Sequence, residues 1–88
     1  MPGRFELVVD KRARKELLHI HQPDLKRLVA KIQALAEQPF PSDAIRLTGQ
    51  PAYRLRQGDW RVIFEVDEKA RVVTVIKVAH RREAYRDL

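Results

Sequence analysis

The stretch Tyr53-Arg54-Leu55-Arg56-Gln57-Gly58-Asp59-Trp60-Arg61-Val62-Ile63-Phe64 decides the fold. Gly58-Asp59 is a Gly-X pair between two runs rich in β-branched and aromatic residues, the pattern of a two-residue type II′ hairpin. Such a loop fixes register: Gln57 faces Trp60, Arg56 faces Arg61, Leu55 faces Val62 and Tyr53 faces Phe64. Because side chains alternate along a strand, Tyr53, Leu55, Trp60, Val62 and Phe64 share one face, assigned to the core. Arg54, Arg56, Arg61, Ile63 and Glu65 fall on the other.

Working outward, Arg71–Val78 reads as a third strand, reached through the polar segment Asp67–Ala70. With Val66 set opposite Val72, Thr74, Ile76 and Val78 join the core face and Lys77 lies beside Arg61. Upstream, Phe5, Leu7 and Val9 alternate with polar residues in a strand over Arg4–Val9. Asp10 can cap a helix that starts at Lys11 and carries Ala13, Leu17 and Ile20 on one stripe. Pro23 suits the first turn of a second helix, in which Leu25, Leu28, Val29, Ile32, Leu35 and Ala36 keep helical spacing. Pro39-Phe40-Pro41 ends it. His80–Leu88 reads as a closing helical turn. The order β-α-α-β-β-β-α predicts an α+β fold: one domain over residues 1–88, an antiparallel sheet with an N-terminal helical hairpin packed on one face.

Composition narrows the function. The chain has 88 residues, no cysteine, 44% hydrophobic and 34% charged residues, which is globular rather than disordered composition. Lack of cysteine excludes a disulfide framework and a thiolate zinc site. No run approaches the ~18 apolar residues of a membrane span, and Met1-Pro2-Gly3-Arg4 does not open a secretory signal, so no membrane partner and a cytoplasmic location are expected. Lys+Arg 18 against Asp+Glu 12 leaves a formal charge of +6, and a pI near 10.2 points to a polyanion partner or simply to a basic solvated surface.

The charges are also patterned. The expected registers place Arg56, Arg61 and Lys77 in a row across three strands with Arg54 alongside. Like charges directly opposite one another cost a few tenths to about 1 kcal/mol, which a bound phosphate would relieve. The plainer alternative has the arginine stems splaying into water, or Glu65 and a chain-end carboxylate neutralising them. On the C-terminal turn, Arg81 and Tyr85 stand at i, i+4 and Arg82 at three residues before Tyr85, so a guanidinium and a phenol can point the same way. Tyr85 can equally be a half-buried anchor. His19 and His21 are not at metal-ligand spacing on a helix face, His80 is a conceivable proton carrier, and Asp59 and Glu65 are single carboxylates. No Gly-rich phosphate loop or metal motif is present, and no cofactor is expected.

Tyr53–Phe64, then Val75-Ile76-Lys77-Val78 leading to His80-Arg81-Arg82-Glu83-Ala84-Tyr85-Arg86, resembles the RelE/ParE toxin superfamily across essentially the whole chain, and most closely its RelE-like branch. The resemblance implies the toxin of a type II toxin–antitoxin pair, a ribosome-dependent endoribonuclease that inhibits translation by cutting mRNA in the A site. The nucleotide's own 2′-hydroxyl is then the nucleophile, leaving a 2′,3′-cyclic phosphate and a 5′-hydroxyl. By the same resemblance, Arg61 stabilises the phosphate, Arg81 (or Arg82, if the segment is offset) acts as general acid and Tyr85 as general base. Arg54 and Arg56 take the family's basic positions on the first hairpin strand, and Lys77 and Arg82 extend that RNA-binding set. The implied partners are a RelB-like antitoxin, the ribosome and mRNA, with the toxin–antitoxin complex binding operator DNA through the antitoxin. Two alternatives remain: a ParE-like toxin that inhibits DNA gyrase without cutting anything, and a noncatalytic small RNA-binding module. The latter usually displays exposed aromatics, whereas hairpin parity turns Trp60 and Phe64 inward.

Overall fold

The computed structural model describes residues 4–81. Strand β1 (Glu6–Val9), helices α1 (Lys11–Leu17) and α2 (Asp24–Ala34), and strands β2 (Ile45–Arg46), β3 (Tyr53–Gln57), β4 (Trp60–Asp67) and β5 (Val72–His80) follow in chain order. The strands form one sheet in the order β1-β5-β4-β3-β2. Ala13, Ile20, Leu28, Ile32 and Leu35 from the helices and the turns after them pack with Leu55, Val62, Phe64, Val73, Val75 and Val78. This is the expected α+β layering, with both helices on one face.

The β3–β4 hairpin has the expected register, with Arg56 opposite Arg61 and Leu55 opposite Val62. Gly58 sits at φ 60° while Asp59 is not at positive φ, as a type II′ turn requires. Elsewhere the structure corrects the sequence reading. The sheet is mixed rather than antiparallel, because β1 pairs in parallel with β5: the chain crosses the helix layer, enters at the far edge and returns strand by strand to lie beside β1. The two-residue β2 is too short to show any periodicity. Asp10 holds the cap position of α1 but its carboxylate makes no capping hydrogen bond, and α2 starts at Asp24 with Pro23 at its cap. The closing turn expected over His80–Leu88 lies outside the described residues from 82 onward, His80 itself ending β5.

The β4–β5 register differs in an instructive way. Asp67 pairs with Val72 and Val66 with Val73, one residue tighter than expected. Asp67 Oδ1 closes the turn by accepting the Ala70 N–H at 2.9 Å, and Arg71 takes a left-handed φ of 58°. Val73 and Val75 therefore enter the core in place of Thr74 and Ile76. A bulge then intervenes, with Phe64 opposite Val75 but Ile63 opposite Lys77. The extra residue, Ile76, restores the original parity, so Val78 faces the core and Lys77 the other side.

β1 covers β5 only as far as Val75. Beyond it α1 lies along the uncovered edge, and the Val78 N–H donates to Glu16 Oε1 at 2.8 Å. With Val78 1% exposed, losing that acceptor strands a buried donor. Glu16→Ala is expected to cost about 1–3 kcal/mol, and Glu16→Gln, which keeps an acceptor, clearly less. Urea midpoints of the two variants test this, and equal stability of Glu16→Ala and wild type would contradict it. At the other end of the helix layer, Lys31 Nζ donates to Asp43 Oδ2 at 2.8 Å. That hydrogen bond holds the Asp43 carboxyl below its ordinary range and ties α2 to the turn before β2.

Candidate functional site

The sheet face turned away from the helices carries the basic residues. β3 supplies Arg54 and Arg56, β4 supplies Arg61, Ile63 and Glu65, and β5 supplies Thr74, Lys77 and Ala79. Register makes this two rows, Arg56–Arg61–Ala79 and Arg54–Ile63–Lys77. The single row Arg56–Arg61–Lys77 is thus corrected: Lys77 stands beside Ile63, diagonal to Arg61, because of the bulge at Ile76. With strands about 4.8 Å apart, Arg54, Arg56 and Lys77 surround the Ile63–Arg61 pair, which puts four cations on three adjacent strands.

Their exposure differs from a uniformly open groove. Arg56 is exposed and Arg54 half-buried, whereas Arg61 and Lys77 are each 5% exposed. Ile63 and Ala79 on the same face are buried too, apart from the main core. Position in the sheet explains part of this for Arg61, since β4 lies between β5 and β3 along its length. The arginine also folds back. Its Nη1 donates to the carbonyls of Gly58 at 3.4 Å and Trp60 at 3.2 Å, drawing the guanidinium down over the hairpin turn. Nε of Arg61 is buried with no hydrogen-bond partner. A buried charged donor without an acceptor is costly, and a guanidinium is a group that binds oxyanions well.

Arg81 follows β5 at the same end of the sheet. Its backbone N–H donates to the Asp59 carbonyl at 2.7 Å, and its Nε lies 3.9 Å from Asp59 Oδ1, both side chains being largely exposed. An ion pair of that length and exposure is worth little energetically, so the backbone bond is what fastens Arg81 to the hairpin turn. Asp59, read from sequence as a lone carboxylate, thereby becomes part of the site. No residue pattern announces a contact made through its carbonyl. Arg82 and Tyr85 lie outside the described residues.

His80 belongs to the opposite face. It pairs with Trp60, and the two rings meet edge to face at 5.5 Å. Trp60 is half-buried against the core and its Nε1–H donates to Asp24 Oδ2 at 3.3 Å. His80 is therefore not grouped with the arginines, and the sheet separates it from them. Among the described residues no group of three or more His, Cys, Asp or Glu side chains could hold a metal ion, and no helix is long and apolar enough to cross a membrane.

A family model described as the ParE toxin of a type II toxin–antitoxin system matches residues 7–85. A Methanocaldococcus jannaschii protein carrying the name toxin RelE1 is 31% identical, the match covering 96% of this chain and 98% of that one. The archaeal RelE–RelB complex from Pyrococcus horikoshii contains a chain that superposes with a TM-score of 0.81 at 29% identity, over 92% of this chain and 99% of that one. The isolated E. coli RelE toxin gives 0.76 at 26% identity, over 86% and 83% respectively.

Proposed function

The chain belongs to the RelE/ParE family and is a toxin of a type II toxin–antitoxin system, and from that premise we propose that it is a ribosome-dependent endoribonuclease that cuts mRNA in the A site. The observation that carries this reading is the buried Arg61 guanidinium with its unpartnered Nε, set among Arg54, Arg56 and Lys77 on one sheet face. Attack by the 2′-oxygen on the adjacent phosphorus forms the 2′,3′-cyclic phosphate and breaks the bond to the 5′-oxygen. Negative charge builds on the nonbridging oxygens, where a fixed guanidinium stabilises it. The 2′-hydroxyl proton goes to Tyr85 and the departing 5′-oxygen takes one from Arg81, Arg82 serving if the segment is offset. Arg54, Arg56, Lys77 and Arg82 hold the flanking phosphates.

The chemistry also accounts for the ribosome. Tyrosine and arginine both ordinarily hold their protons well above neutral pH and are poor proton carriers there. Much of the rate must therefore come from an mRNA already held in an in-line geometry. In this reading the protein acts in the cytoplasm on ribosome-bound mRNA. A RelB-like antitoxin restrains it, since relatives of more than 25% identity have been solved with RelB, and the complex meets operator DNA through that antitoxin.

Mapping new mRNA 5′ ends in a reconstituted translation system, with and without ribosomes, tests the proposal. Cuts within A-site codons are expected only when ribosomes are present. Equal cutting of free RNA would contradict it. The family model is described as a ParE toxin, and the ParE-like rival reading is a gyrase-directed toxin that cleaves nothing. Loss of gyrase supercoiling with no new 5′ ends would favour that rival.

A further inference from the structure

The sheet face that carries the arginines changes sign along its strands. Nearest the β3–β4 turn, the rows Arg56–Arg61–Ala79 and Arg54–Ile63–Lys77 hold four cations and no carboxylate. Beyond the bulge the next row joins Glu65 to Thr74 and Val8, and the last joins Asp67 to Val72 and Glu6. Glu6, Glu65 and Asp67 are all exposed. A shallow concavity at this end is bordered by Glu65, Asp67 and Glu68, with Lys69 as its cation. The carboxylates are spread along the strands rather than gathered, and among the described residues they form no group that could hold a metal ion.

The change of sign falls at Glu65. It stands four residues after Arg61 on the same strand and the same face, which at the rise of an antiparallel strand is about 14 Å. The row of Arg54 and Lys77 lies midway, about 7 Å from Glu65. Among the described residues no ion pair or hydrogen bond engages the Glu65 carboxylate. The last row, with Glu6 and Asp67, is about 14 Å from Arg54 and Lys77, more than the Debye length of about 10 Å at 0.1 M salt. Glu65 therefore carries the repulsion that an anion on the cationic rows meets first.

We propose that Glu65 fixes the register of RNA on this face. A strand running lengthwise along β4 past Arg54 and Lys77 brings its next phosphate against Glu65, where two acceptor groups have no proton to share. A strand crossing β3, β4 and β5 transversely meets only cations, with Arg54 and Lys77 to either side of Ile63 and Arg61 in the middle strand. The carboxylate thus selects the transverse path by penalising the lengthwise one, as repulsive elements do in specific recognition. The inference rests on the cleavage reading for its purpose and deepens it: Glu65 decides which phosphate of the codon reaches Arg61.

The test compares the full-length chain with Glu65→Gln, Glu65→Lys and, as a control in the last row, Glu6→Gln, all at exposed positions. Binding is measured to fully 2′-O-methylated RNA oligonucleotides of about two to ten nucleotides, which offer no 2′-hydroxyl nucleophile. A unit charge about 7 Å away in water is worth about threefold in affinity at low salt, so Glu65→Gln should gain about threefold and Glu65→Lys about sevenfold. Wild-type affinity should stop rising at a short length. In Glu65→Lys it should go on rising for at least one more nucleotide, and each added phosphate should steepen the slope of log K against log salt by about 0.7. On programmed ribosomes the cuts of Glu65→Lys should spread to a neighbouring phosphate of the codon.

An unchanged length limit and affinity in Glu65→Lys overturns the proposal whether or not the chain cuts mRNA. An equal gain from Glu6→Gln and Glu65→Gln reduces the effect to net charge and overturns it too, as does a wild type that binds none of the oligonucleotides. A single unchanged cut site for Glu65→Lys gives the register to the ribosome, which also overturns it. A wild type that cuts nothing, beside a Glu65→Lys variant with the longer limit, sinks the cleavage reading and supports this boundary.

Discussion

Arg61→Met is expected to abolish mRNA cleavage while leaving the fold at least as stable as wild type. Two separate features of the same side chain lead there. Removing one preorganised donor to a developing oxyanion typically costs 10²–10³-fold in kcat, and Arg61 stands at the centre of the cationic face. For stability the balance runs the other way. Arg61 is 5% exposed with a buried Nε lacking any acceptor, a defect of about 1–3 kcal/mol. It also faces Arg56 directly across the hairpin, a like-charge pairing that is unfavourable. A methionine of similar length fills the space without either cost. The two hydrogen bonds it gives up go to carbonyls of Gly58 and Trp60 at the hairpin turn, and Gly58 is exposed to water. In a domain of this size 1 kcal/mol moves Tm by about 4–8 °C, so melting curves beside single-turnover cleavage read both arms. Activity within tenfold of wild type would remove Arg61 from the chemistry, and a large fall in Tm would make its guanidinium structural.

Phe64→Ala is expected to produce the largest loss of stability, about 3–5 kcal/mol, against a total of about 5–15 kcal/mol for a natural domain. Phe64 is fully buried and sits at the register shift between β4 and β5. Its ring stacks on Tyr53 at 5.7 Å, and Tyr53 meets Phe40 edge-on at 5.5 Å, so one aromatic chain joins the sheet to the loop after α2. The bulge at Ile76 is set where Phe64 fills the core opposite Val75. Phe64→Leu keeps most of the volume and should cost clearly less. Guanidinium unfolding of both variants checks the ranking, and an alanine variant within about 1 kcal/mol of wild type would show that the core collapses around the gap.

The hairpin was legible because a two-residue loop leaves the register no freedom. From Gly58-Asp59 alone came the opposition of Arg56 and Arg61, the inward Trp60 and Phe64, and the placing of Arg54 on the cationic face. The β4–β5 loop offered no such constraint. Its extra residues allow more than one closure, and only the Asp67 side-chain bond to Ala70 and the left-handed Arg71 select the observed one. The bulge at Ile76 has no local signature, since nothing in Val75-Ile76-Lys77 marks which residue is left unpaired. Two misplacements of one residue each cancelled there, so Lys77 reached the expected face beside an unexpected neighbour.

Local pattern was therefore enough for β1, β3, β4 and β5, for α1 and α2, for the side of the sheet each hairpin residue occupies and for the family resemblance. All of these depend on spacing along the chain, which alternation and helical periodicity record directly. Burial of Arg61 and Lys77, the unpartnered Nε, the capping of Val78 by Glu16 and the attachment of Arg81 to Asp59 came only with the assembled fold. These depend on which strands flank a residue and which groups from distant segments reach it. Residues 16 and 78 meet because β1 stops at Val9, and no periodicity within either segment encodes where a neighbouring strand ends.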